Sequence, residues 1–184
     1  MNADEKSLAL ATAALFIGAF IPALIGGVMF TGRKMLGWTR AQSRRWLYTE
    51  RSLWIAGMIL LTAGFALFAD VLRIGRENVF SRLGLIGFLF GAVLIVVAEA
   101  HALDTQAWSD YMVRLSVTIL LLSEAIFGMA VLQTQLLPQW IGWATIVWNV
   151  GWLVLLFRAK DPYFPALHYI MPLITGILLI GLAQ

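Results

Sequence analysis

The chain has 184 residues, 61% of them hydrophobic and 12% charged, with a net charge of +3 and no cysteine. A soluble domain carries about a quarter charged residues, so a soluble fold is excluded. The missing cysteine removes disulfides, thiolate metal sites and cysteine nucleophiles, and the basic residues cluster beside apolar runs, which marks topology rather than a nucleic-acid partner.

The apolar runs are close to the roughly 20 residues that cross about 30 Å of hydrocarbon. Six crossings are read, at about 8–30, 53–72, 83–103, 112–132, 136–157 and 163–182, giving a single all-α domain, a six-helix transmembrane bundle without a soluble module. Arg33, Lys34, Arg40, Arg44, Arg45, Arg51, Arg114, Arg158 and Lys160 fall on one side, against Lys6, Arg73, Arg76 and Arg82 on the other. The positive-inside tendency then puts both termini outside. The first run is read as retained in the mature protein, because it is long and Asp4 and Glu5 stand where a signal peptide has basic residues.

Span one is rich in small residues and carries Pro22 and the pair Gly26-Gly27. Pro22 leaves the Gly18 carbonyl without its helical donor, and the small residues point to close helix packing. The connection from Thr31 to Ser52 mixes arginines with Trp38, Trp46 and Tyr48, a composition suited to the membrane interface. Anionic lipid headgroups are its expected partners, along the stretch from Arg33 to Arg51. Span two ends in Asp70, and Arg73 one turn on is its expected ion-pair partner. In span three, Gly87 and Gly91 form G-x-x-x-G, a packing surface. Trp46, Tyr48, Trp54, Trp108, Tyr111 and Tyr163 are expected to form an inner aromatic belt, with Trp140 and Trp143 serving the outer one. Pro138 and the Asp161-Pro162 pair mark the starts of the last two helices.

Ionisable residues inside apolar runs are costly unless paired or hydrated, so each is a candidate site. Glu99 and His101 are two residues apart and point to nearly opposite sides of a helix, which rules out one metal site from both. Glu99 and Arg114 flank the same short hinge and are expected to pair across it. Glu124 lies near the middle of span four, with Gly128 leaving room beside it, and Asn149 and Thr145 share one face of span five at similar depth. His168 and Thr175 share one face of span six with Asp161, and Pro172 frees the His168 carbonyl. Together Glu124, Asn149, Thr145, His168 and Thr175 read either as a polar path for protons, ions or a small solute, or as a neutral Glu124 satisfied by Asn149 or a carbonyl. His101 and His168, both expected toward the inner side, are conceivable ligands of a haem or chlorin, otherwise no cofactor is implied.

The chain has no G-x-S-x-G, H-E-x-x-H, Walker or G-x-G-x-x-G motif, and its three lysines, Lys6, Lys34 and Lys160, lie outside the spans. Enzyme chemistry and a retinal Schiff base therefore find no support. The stretch Leu137-Pro138-Gln139-Trp140-Ile141-Gly142-Trp143 resembles the L-P-x-W-x-G-W helix opening of several uncharacterised bacterial multi-span membrane protein families. The resemblance implies a bacterial inner membrane and no catalytic residue. The leading expectation is a non-enzymatic membrane protein acting by helix packing, as a homo-oligomer or a small subunit of a larger complex. A small channel or transporter working at Glu124 and Asn149 is the alternative, and a haem- or chlorin-binding subunit the third.

Overall fold

A computed structural model describes residues 1–38, 43–74, 77–105, 109–134, 136–158 and 167–184. Six helices follow one another: α1 (Ala3–Lys34), α2 (Arg44–Val71), α3 (Val79–Thr105), α4 (Asp110–Thr134), α5 (Gln139–Arg158) and α6 (Leu167–Ala183). The expected helix-starting pair Asp161-Pro162, and the belt residues Trp108 and Tyr163, lie outside the described residues. Five helices are long and apolar enough to cross a membrane, and α6 is apolar over 17 residues. The chain is a multi-pass membrane bundle.

Local chemistry accounts for the helix boundaries. Asn2 and Glu5 form a reciprocal capping box at the start of α1, each side chain taking the other's backbone N–H, at 2.9 and 2.8 Å. This satisfies two of the donors that a helix start leaves over. Asn78 caps α3 by accepting the Ser81 N–H, and its amide also donates to the Ala130 carbonyl of α4 at 3.1 Å. One side chain thus ends a turn and pins two helices. α1 runs through Pro22 as a single helix.

Around the bundle the helices neighbour one another in the order α6, α1, α2, α3, α4, α5, and the contact between α5 and α6 is slight. Lys6 donates to the Gln184 carbonyl at 3.3 Å, so the start of α1 and the end of α6 share one end of the bundle, here the termini end. The opposite end carries the α1–α2 connection and is here the loop end.

Small residues set the close approaches. A Cβ on Gly91 would stand 2.8 Å from Leu120, and one on Gly84 3.0 Å from Phe127, so these glycines of α3 are filled by α4. Gly87 is filled the same way by Ser123. Ile86, Phe90, Val93 and Val97 of α3, and Val147, Val150, Val154 and Phe157 of α5, are exposed in stripes at helical spacing. Such stripes are a liability in water and the expected lipid-facing surface in a bilayer.

The first connection is shorter than the sequence implies. α1 continues to Lys34 and α2 already begins at Arg44, which draws much of the arginine-rich stretch into helix. Arg33 and Arg51, expected on lipid headgroups, instead make salt bridges inside the bundle, because Glu50 and Glu99 come to meet them there. Arg44 remains at the surface, its guanidinium over the Tyr48 ring at 5.3 Å. At the other end, Arg73 meets Asp70 at 3.2 Å, with Asp70 57% exposed. Water weakens such a pair, so Asp70→Ala should change stability by less than about 1 kcal/mol, read from thermal unfolding in detergent.

Candidate functional site

The contact between α4 and α5 brings the polar side chains together. Gly128 and Gly142 face each other so closely that a Cβ on either would lie 2.8 Å from the other's carbonyl oxygen. Backbone this close leaves no room for intervening side chains, and Asn149, two turns beyond Gly142 on the same face, is carried to the level of Glu124. Asn149 is fully buried, donates its amide to the Thr145 carbonyl at 2.9 Å, and faces the Glu124 carboxyl. Thr145 is occupied locally, its hydroxyl donating to the Ile141 carbonyl at 2.8 Å.

The third contributor is α6. His168, Met171, Pro172, Thr175 and Leu179 are its buried stripe, and the first of them reaches α4. His168 Nδ1 and Glu124 Oε1 stand 2.9 Å apart, a distance at which one hydrogen bond forms whichever group carries the proton. Both residues are at least 97% buried. Glu124 Oε2 and Asn149 Oδ1 are buried without a hydrogen-bond partner among the described residues. A buried acceptor left over costs about 1–3 kcal/mol, so the site retains capacity for a proton or a donor.

Two cavities flank the pair. Toward the loop end lies a chamber of about 20 Å³ between α2, α3, α4 and α6, lined among others by Trp54, Met58, Glu99, His168 and Tyr169. Toward the termini end a smaller cavity of about 10 Å³ is bounded by Glu124, Thr145 and Thr175 and by the rings of Phe16, Phe65 and Phe127. All five residues expected to form the polar core therefore meet at one place, on or beside the two cavities.

A second polar cluster was not foreseen. Arg33 grips Glu50 with two bonds, of 2.9 and 2.7 Å, Arg51 donates to Glu99 at 2.8 Å, and Arg51 and Glu50 stand 4.0 Å apart. The four charges tie α1, α2 and α3 together at the loop end. Glu99 thus forms its salt bridge with Arg51 rather than with Arg114, because that face of α3 is turned to α2. Arg114 donates to the Leu156 carbonyl of α5 at 2.9 Å. A readable signal existed: Glu50 and Arg51 continue the buried stripe Trp54, Met58, Leu61, Phe65 and Phe68 backwards at helical spacing. Tyr169 was also missed, although it neighbours His168 on the buried side of α6. Its hydroxyl, packed against Gly57, has no hydrogen-bond partner among the described residues and stands within electrostatic reach of both Glu99 and Glu124.

The two histidines differ. His101 is exposed near the end of α3, whereas His168 is buried and joined to Glu124 in the middle of α4, deeper than the inner-side position expected of it. No group of three or more metal-ligating side chains assembles among the described residues.

No family model, curated protein or solved structure matches this chain.

Proposed function

We propose that this chain is a proton-handling transport protein of the bacterial inner membrane, in which the Glu124–His168 pair takes up and releases a proton inside the bundle. The observation that carries the reading is the pair itself: a carboxyl and an imidazole 2.9 Å apart, with the second carboxyl oxygen buried without a hydrogen-bond partner among the described residues. One proton can sit on either group without moving a heavy atom, and a second protonates both. Each uptake changes the charge of a site in low dielectric, where charge is costly, so it biases the packing of the surrounding helices. The inner-membrane assignment rests on the helix opening at Leu137–Trp143 and on the arginine-rich connection.

A purely packing role has less support in the geometry. Gly87 and Gly91, read from the sequence as a packing surface, are filled by Ser123 and Leu120 of the same chain. A tetrapyrrole has no supporting pair of ligands, with one histidine exposed and the other bonded to Glu124.

The test is proton flux into liposomes holding the purified protein and an entrapped pH-sensitive dye. Wild type should acidify the lumen after an acid pulse, and Glu124→Gln, which keeps the shape and loses the titrating group, should slow the flux at least tenfold. Wild-type flux no faster than that of empty liposomes, or an unimpaired Glu124→Gln, would overturn the reading.

A further inference from the structure

We infer that the Glu124 site also binds a small monovalent cation, sodium, held without its water by oxygens of α4, α5 and α6 at the cavity toward the termini end. The inference deepens the proton-handling reading and rests on it for the choice of Glu124 as the working carboxyl, while its test reads sodium and not protons.

The site is rich in acceptors and short of donors. Glu124 Oε2 and Asn149 Oδ1 are buried, and neither has a hydrogen-bond partner among the described residues. The cavity of about 10 Å³ beside them is bounded by three polar residues, Glu124, Thr145 and Thr175. Thr145 gives its hydroxyl proton to the Ile141 carbonyl at 2.8 Å, which leaves that hydroxyl oxygen its lone pairs. Pro172 stands on the same wall and has no N–H, so the His168 carbonyl one turn back lacks its helical donor. Glu124, Asn149, Thr145, Thr175 and the His168 carbonyl thus bring five oxygens from three helices to or beside one small space. Oxygen ligands, one of them charged, together with a carbonyl freed inside a membrane helix, suit a hard cation. Hydroxyl, amide and carbonyl oxygens suffice for sodium, without the clustered histidines or thiolates that transition metals take.

Size and charge select the ion. Room of about 10 Å³ is at the lower limit for a single water, so a hydrated ion is excluded, while a bare sodium ion, smaller than water, fits. Glu124 is the one ionisable residue on this wall among the described residues. Beside a neutral His168 its single charge balances a monovalent ion, whereas a divalent one would carry an uncompensated charge into low dielectric. His168 Nδ1, 2.9 Å from Oε1, donates to that oxygen and leaves Oε2 for the ion. Much of the remaining wall is aromatic, from Phe16, Phe65, Phe68 and Phe127. Those rings join Phe88 in one slab, with centroids 4.2 Å apart for Phe65–Phe88, 4.7 Å for Phe65–Phe127 and 5.1 Å for Phe16–Phe65. Packed rings exclude water, so the ion takes its ligands from the protein.

Equilibrium dialysis of the purified protein in mild detergent against radioactive sodium, with ionic strength held constant by choline chloride, tests the site. Wild type should take up one sodium ion per chain, and potassium, too large for the cavity, should displace it at least tenfold less well than unlabelled sodium does. Thr145→Val and Thr175→Val keep the side-chain shape and remove an oxygen, so each should weaken uptake at least tenfold. Thr145→Ser and Thr175→Ser keep the oxygen and should bind as wild type does. Glu124→Gln should abolish uptake. Wild type without saturable uptake, potassium bound as tightly as sodium, a valine variant that binds normally, or a serine variant as weak as its valine counterpart would each overturn the site. The two threonine positions guard against a variant that fails to fold. If wild type carries protons into liposomes but takes up no sodium, the cation site falls and the proton-handling pair stands. If it takes up sodium as stated but carries no proton flux, the cation site stands and the proton-handling function falls.

Discussion

Arg33→Met should destabilise the bundle by about 3 kcal/mol, the lower end of the loss seen when one partner of a buried ion pair is removed. Glu50 is fully buried and takes both of its short bonds from Arg33, whereas Arg51 Nε lies 4.0 Å away. Without Arg33 its charge is only weakly compensated in a low-dielectric setting. The double variant Arg33→Met/Glu50→Met removes the charge with its partner and should recover most of the loss, because an apolar pair of similar volume often replaces a buried ion pair at little cost. Thermal unfolding in mild detergent, followed by tryptophan fluorescence, checks both. A double variant as unstable as the single one would show that the cluster is held by something other than charge compensation.

Gly128→Ala should have the next largest effect, a loss of about 2 kcal/mol from overpacking. The added methyl would stand 2.8 Å from the Gly142 carbonyl oxygen, 2.8 Å from Ile146 Cγ1 and 3.2 Å from the Ile146 amide nitrogen. Two of these are backbone atoms, so α5 must move away from α4, taking the Asn149 amide away from Glu124. Proton flux should therefore fall together with stability. Gly151→Ala, on the same helix and with nothing within 4 Å of the new methyl, is the control. It should gain about 0.5–1 kcal/mol from helix propensity and leave flux unchanged. Equal losses at both positions would mean that the close α4–α5 approach does not set the site.

The helices were legible in the sequence because length and hydropathy are local properties, and each expected span overlaps an observed helix. Their ends were less so. Apolar runs stop where charge begins, yet α2 continues through Arg44, Glu50 and Arg51 as helix, since these side chains find partners in the fold. Glu124, Asn149, Thr145, His168 and Thr175 were recognisable individually as polar groups in apolar surroundings. The direct contact of Glu124 with His168, rather than with Asn149 alone, depends on how α6 lies across α4, and no spacing within either helix encodes that. Glu99 shows the same limit: the turn of α3 that brings it to Arg51 of α2 is written in no spacing within α3.

The slab formed by Phe16, Phe65, Phe68, Phe88 and Phe127 has an electrical consequence. Packed phenyl rings offer a crossing charge no hydrogen-bond partner, so moving one through this layer is costly, and the share of a transmembrane voltage that falls across it acts on one elementary charge at about 2.3 kcal/mol per 100 mV.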